Sequence, residues 1–168
     1  MTRRVAGQIT FVLGGARSGK SRYAEALIQA QPPPWRYVAT AQAFDGEMRA
    51  RIAEHRARRP PGWVTVEAPL DLAEALGGNN PVLIDCLTLW TSNLLLAERT
   101  PDWPTLRAAL DGRTETTVLV SNEVGLGIVP DNALARRFRD VAGVLHQHVA
   151  ARADRVVLMV AGIATVVK

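Results

Sequence analysis

The sequence predicts an α/β fold, a doubly wound and mostly parallel sheet with helices on both faces, formed by all 168 residues as one domain. Three observations lead there. Short, continuous apolar runs rich in Val, Ile and Leu alternate with longer segments of helical period, as in a parallel sheet buried on both sides. No repeat and no long linker divides the chain, which is long enough for a core burying roughly two-thirds of the surface its unfolded form exposes. The first apolar run leads directly into Gly14-Gly15-Ala16-Arg17-Ser18-Gly19-Lys20-Ser21, a glycine-rich loop of the phosphate-binding kind.

In order along the chain, residues 8–13 read as a buried strand and 20–30 as the helix after the loop. The run Gln31-Pro32-Pro33-Pro34 stops that helix, since proline cannot continue one. Residues 36–40 form a second strand. A helix over 45–59 follows, closed by Pro60-Pro61-Gly62. Residues 64–67 are a short strand and 70–76 a short helix ended by Gly77-Gly78. Two β-branched runs, 81–85 and 117–122, are further strands, separated by a helix over 88–98, a proline-containing patch and a short helix near 105–110. A long helix then carries Leu134, Phe138, Val141, Leu145 and Val149 as one stripe, and residues 155–160 are the last strand.

Composition excludes several classes. The single cysteine, Cys86, permits no internal disulfide, suits a reducing cytoplasm and reads as a buried small hydrophobe. Met1-Thr2-Arg3-Arg4 and the apolar stretch behind it imitate a signal peptide, but Gln8 and Thr10 interrupt that stretch and cleavage after Ala16 would cut the phosphate loop. The apolar run at 156–164 is far shorter than the ~20 residues that span a bilayer, so a soluble, cytoplasmic protein is expected. The net charge of +4 raises the question of nucleic acid. Yet 18 of the 20 basic residues are arginines scattered along the chain, and no aromatics interleave with the clusters Arg56-Arg58-Arg59 and Arg136-Arg137-Arg139. No nucleic-acid partner is expected.

The loop carries the strongest functional signal. Its glycines let backbone N–H groups turn toward phosphate oxygens, and the helix N-terminus adds its dipole. Lys20 is expected to reach the β- and γ-phosphates and the Ser21 hydroxyl to hold Mg²⁺. Where charge alone matters this chain uses arginine, yet position 20 is one of its only two lysines, a compact point charge rather than a planar fork.

Ligands of open α/β sheets bind beyond the C-terminal strand ends, which here carry Gly14, Thr40, Asp85 and Asn122 with Glu123. Asp85 closes Val82-Leu83-Ile84 in the pattern of a Mg²⁺-holding carboxylate; the alternative is an aspartate capping the next helix. Glu123 is the competing carboxylate. His55 shares a helix face with Met48 and Ile52, which by itself favours a packed histidine. His146 and His148 flank core positions of the long helix and read as surface residues.

Beyond the loop, the chain resembles the bifunctional adenosylcobinamide kinase / adenosylcobinamide-phosphate guanylyltransferases over about residues 9–162. The resemblance rests on the loop itself, on Tyr37-Val38-Ala39-Thr40-Ala41, and on Glu47-Met48-Arg49-Ala50-Arg51-Ile52 leading to His55-Arg56 and Arg59-Pro60. It also rests on Asp85-Cys86-Leu87-Thr88-Leu89-Trp90 with Asn93-Leu94-Leu95, and above all on Ser121-Asn122-Glu123-Val124-Gly125-Leu126-Gly127-Ile128-Val129-Pro130. The tail, residues 163–168, departs from the family's proline-containing ending but keeps a terminal lysine.

What the resemblance implies is specific. The fold would be RecA-like. The enzyme would phosphorylate the aminopropanol hydroxyl of adenosylcobinamide with ATP or GTP, then transfer GMP from GTP through a guanylylated histidine, here His55. GTP contacts are implied near Thr40, Ala41, Gln42, Arg56, Ala57, Arg58, Arg59, Glu67 and Asp85, and a homo-oligomer, a trimer, is the implied assembly. Two other readings of the residues stay open: a P-loop ATPase acting on nucleic acid, and a nucleotide-gated binding module without turnover.

Overall fold

The computed structural model describes residues 7–57 and 59–168. The signal-like segment around Met1-Thr2-Arg3-Arg4 and the Arg58 position therefore lie outside the described residues. In chain order the elements are β1 (Ile9–Gly14), α1 (Lys20–Gln29), β2 (Trp35–Ala39), α2 (Gly46–Ala57), β3 (Trp63–Glu67), α3 (Leu72–Ala75) and β4 (Val82–Asp85). They continue with α4 (Leu87–Leu96), α5 (Trp103–Asp111), β5 (Thr117–Asn122), α6 (Ala133–Arg152), β6 (Arg155–Val160) and β7 (Ile163–Val166). The seven strands form one sheet in the order β3-β2-β4-β5-β1-β6-β7.

The first six strands are parallel, and the reason lies in their residues. Phe11, Val82, Ile84 and Leu119 join the core cluster of α4, α5 and α6, whereas Val12, Leu83, Val118 and Val120 pack with Ala24 and Ile28 of α1. Both faces are buried, so alternate positions must all be apolar. The expected helices on both faces are present.

The sheet does not end with β6, as the sequence reading had it. β7 pairs antiparallel with β6 through a turn at Ala161 and Gly162, whose φ values of 51° and 80° are both left-handed. That is the twist-matched geometry of a two-residue hairpin, reached here with alanine where asparagine or aspartate usually signals it. The terminal lysine has a local role: Lys168 Nζ donates to the carbonyls of Ala150, Ala151 and Ala153, satisfying the C-terminal end of α6.

The α6 stripe needs correction too. The helix starts where Asn132 Oδ1 accepts the Ala135 N–H at 2.7 Å. Leu145 and Val149 are buried, but Leu134 is 52% exposed and Phe138 and Val141 are half-buried, so only the second half of the stripe enters the core. His148 is exposed as expected and stacks on Trp103, while His146 is buried. Its Nε2 lies 2.7 Å from Ser121 Oγ and its ring 5.6 Å from Phe11.

Burial holds the His146 imidazole below its usual pKa, with the Glu123 carboxylate opposing that shift. The unfolded chain would take up a proton near pH 6.5 that the folded chain resists. This contribution is therefore complete above that pH and is lost as pH falls below it. Urea unfolding at about pH 7.5 and about pH 5.5 should show a larger loss of stability in the wild type than in His146→Gln. Equal losses would show that His146 is not protected from protonation.

Candidate active site

The phosphate loop is built by β1, α1 and the hairpin at the C-terminus. A Cβ at Gly14 would meet Ser18 Oγ at 2.5 Å and the Met159 carbonyl at 2.6 Å, so only glycine fits where β1 bends into the loop. Gly19 sits at φ 92° as the residue before α1, a conformation glycine adopts without strain. The β6–β7 turn braces the loop from behind, the Gly162 N–H donating to the Ser18 carbonyl at 2.9 Å. Gly15, by contrast, faces open space.

Lys20 is 8% exposed, and its Nζ donates to the Gly15 carbonyl at 2.5 Å. Burial lowers its pKa; an ionised Cys86 would oppose that shift, and the Asp85 carboxylate does oppose it. The ammonium thus stands on the loop beside the end of β4, the corner at which a polyphosphate bound to the loop would place charge. Cys86 itself is half-buried and packs at the edge of the α1-side core, and burial raises its thiol pKa.

Asp85 ends β4 in register with Ala39 and Val120 and accepts a hydrogen bond from Tyr37 Oη at 3.1 Å through Oδ2. The helix-capping alternative finds no support, because α4 begins at Leu87 and the residue in the capping position is Cys86, not Asp85. The corner after Asp85 is fixed by Thr40. This fully buried hydroxyl accepts the Cys86 N–H at 2.9 Å and donates to the Cys86 carbonyl at 2.7 Å, while Asn93 Nδ2 donates to the Thr40 carbonyl. Thr40 holds the backbone at the site's floor, and Ala41 and Gln42 follow it half-exposed.

Glu123 leaves the end of β5. Its N–H donates to the Gly14 carbonyl at 3.0 Å, tying β5 to the loop, and its Oε1 accepts the Gly125 N–H at 2.5 Å. The competing carboxylate is folded back on its own loop.

His55 occupies a second place. The order β2-β4-β5-β1 sets β2 three strands from β1, about 14 Å at ordinary strand spacing, and α2 is the helix that follows β2. None of the described side chains of α2 is buried; Met48, Ile52 and His55 are the half-buried stripe, as their spacing predicts. His55 and Arg56 fall in the last turn of α2, where the helix dipole favours positive charge. Arg56 is exposed with Glu67 3.5 Å away, a weak pair by itself. Ala57 is exposed beside it.

Arg59 is placed differently from its cluster neighbour. Its side chain is 7% exposed, its guanidinium carbon lies 3.3 Å from the centre of the Tyr37 ring, and Nη1 donates to Thr65 Oγ1 at 3.3 Å. Glu25 of α1 is 4.0 Å from its Nε. Binding phosphate through Arg59 would require it to leave these partners. Sequence reasoning missed Tyr37, although a tyrosine beside Val38 and Ala39 in a buried strand signals a hydroxyl in need of a partner. Among the described residues no group of three or more His, Cys, Asp or Glu is arranged to hold a metal.

A parallel sheet with a preformed phosphate loop, a buried loop lysine and a carboxylate at the end of β4, one strand removed from β1, defines the class: a P-loop nucleotide-binding enzyme. A solved ATPase from the type III secretion system of pathogenic bacteria shares the fold, with a TM-score of 0.54 and 14% identity over 91% of this chain. This chain covers 52% of that one, about half its length. The particular family follows from sequence. Residues 10–167 match the cobinamide kinase / cobinamide phosphate guanyltransferase family, and the chain belongs to it. It is 51% identical over 163 residues to the bifunctional adenosylcobalamin biosynthesis protein CobP of Pseudomonas aeruginosa, covering 90% of this chain and 92% of that protein. It is 44% identical over 178 residues to CobU of Salmonella typhimurium, covering 94% and 98% respectively. The protein is a bifunctional kinase and guanylyltransferase of cobalamin biosynthesis. Among the described residues no helix is long and apolar enough to cross a membrane.

Proposed function

We propose that this chain phosphorylates adenosylcobinamide with ATP or GTP and then transfers GMP from GTP to that phosphate through a guanylylated His55. One observation carries the reading: a preformed phosphate loop with a buried lysine, and a half-buried histidine beside an exposed arginine on a separate helix. Two phosphorus centres are attacked in the two reactions, and the chain offers two places for them.

In the first reaction the aminopropanol hydroxyl oxygen attacks the γ-phosphorus, the bond to the β-phosphate oxygen breaks, nucleoside diphosphate leaves and the hydroxyl proton is released to solvent. The backbone N–H groups of residues 15–21 and the Lys20 ammonium balance the charge that develops on the transferring group. In the second, a neutral His55 ring nitrogen attacks the α-phosphorus of GTP and pyrophosphate departs. A phosphate oxygen of adenosylcobinamide phosphate then attacks that phosphorus, the P–N bond breaks and the histidine is regenerated. Arg56 is the exposed cation on the same turn and is assigned to the departing phosphates. Ala41, Gln42 and Glu67, at the ends of β2 and β3, border the place assigned to guanosine. Arg59 joins the phosphates only on leaving Tyr37.

The donor set suits Mg²⁺. A hydroxyl from Ser21 and one carboxylate from Asp85, completed by phosphate oxygens and water, is the pattern this ion takes in phosphoryl-transfer sites, rather than an all-protein cage. When bound there, Mg²⁺ would neutralise phosphate charge. A homo-oligomer, a trimer, is the assembly proposed.

Protein, Mg²⁺, GTP and adenosylcobinamide incubated together should yield adenosylcobinamide phosphate first and adenosylcobinamide-GDP later, identified by mass. Accumulation of the phosphate without any GDP derivative would refute the second half of the reading.

A further inference from the structure

We infer that Tyr37 is a positioning residue that orients the Asp85 carboxylate, an inference resting on the reading of Asp85 as the Mg²⁺-side carboxylate. Tyr37 lies in the middle of β2, 6% exposed, on the sheet face that packs against α1. Phenylalanine would fill this apolar position as well, so the phenol brings a hydroxyl that needs a partner. That partner is Asp85 Oδ2 at 3.1 Å.

The consequence is directional. An aspartate χ2 is a broad, roughly two-fold rotor, and Asp85 sits half-buried at a strand end. Fixing Oδ2 with an O–H donor fixes the direction of Oδ1 as well. Mg²⁺ demands near-ideal octahedral geometry, so a carboxylate held in one rotamer binds it better than one free to turn. The donor is itself held: the Arg59 guanidinium stacks 3.3 Å from the ring centre, and Trp63 meets the ring edge-on with centroids 6.1 Å apart. Burial first, and the Asp85 charge next, raise the phenol pKa, so the hydroxyl keeps its proton and donates. Arg59 follows His55 by four residues, and the chain Arg59–Tyr37–Asp85 thus joins the histidine segment to the carboxylate beside Lys20.

Tyr37→Phe removes only the oxygen, retaining the ring, its packing and the Arg59 stack. ATP binding, followed by calorimetry across a series of Mg²⁺ concentrations, should show the half-saturating Mg²⁺ concentration rise about three- to ten-fold, in line with loss of an ordinary side-chain hydrogen bond. Asp85→Asn should raise it further, and Tyr37→Phe added to Asp85→Asn should change nothing more, because the carboxylate it orients is gone. A structural role alone would lower the melting temperature in both backgrounds and leave the Mg²⁺ dependence untouched. If Asp85→Asn shifts the Mg²⁺ dependence but Tyr37→Phe does not, or if the two shifts add, the inference about Tyr37 is overturned while Asp85 keeps its role. An unchanged Mg²⁺ dependence in Asp85→Asn overturns both.

Discussion

Lys20→Ala should lower phosphoryl transfer to adenosylcobinamide by about three orders of magnitude while the protein stays folded. The ammonium is 8% exposed and is bonded to the Gly15 carbonyl, within the field of Asp85. Truncation removes a point charge aimed at the phosphates and leaves the apolar core untouched. Lys20→Arg should rescue little, because a planar fork larger than an ammonium does not fit a loop in which even a Cβ at Gly14 collides. Steady-state rates beside a melting curve decide the matter. A near-normal rate in Lys20→Ala with unchanged melting would remove the lysine from the chemistry.

His55→Ala should abolish guanylyl transfer, by on the order of 10⁴-fold or more, and leave most of the kinase rate. The separation of the two activities is expected because His55 lies on α2, the helix after β2, and not on the phosphate loop or α1. GTP labelled at the α-phosphate should leave label on the wild-type protein that is lost in acid and kept in alkali, as a P–N bond requires. GTP labelled at the γ-phosphate should leave none. His55 is only half-buried among Met48 and Ile52, so truncation should change stability by no more than about 1 kcal/mol. A packed histidine predicts the reverse: label persists on the variant, and both activities fall together with stability.

Much of the fold was legible because burial on both faces of a parallel sheet leaves little choice of residue. The strands over 117–122 and 155–160 reappear as β5 and β6 with the same bounds. The Met48, Ile52 and His55 face was legible for the same reason: helical period alone decides which side chains share a side. His146 was not, because its burial depends on how α6 lies across Phe11 and Ser121, residues more than twenty positions away. The β6–β7 hairpin escaped because Ala161 stands where asparagine, aspartate or glycine usually marks the turn, and all four residues of β7 are exposed.

By itself the sequence determined the phosphate loop, the strand that presents it and the candidate carboxylate closing Val82-Leu83-Ile84. These are local: eight consecutive residues define the cradle, and a run of buried strand ends where the first charged residue appears. Only the tertiary structure decided which members of one basic cluster face solvent. Arg56 and Arg59 look equivalent in the chain, yet one is exposed beside Glu67 while the other is buried against Tyr37, Thr65 and Glu25. The difference arises because β2, β3 and α1 converge on Arg59, two of them from more than twenty residues away. At Arg59 a ring face, a hydroxyl and a nearby carboxylate replace part of the water that the guanidinium loses.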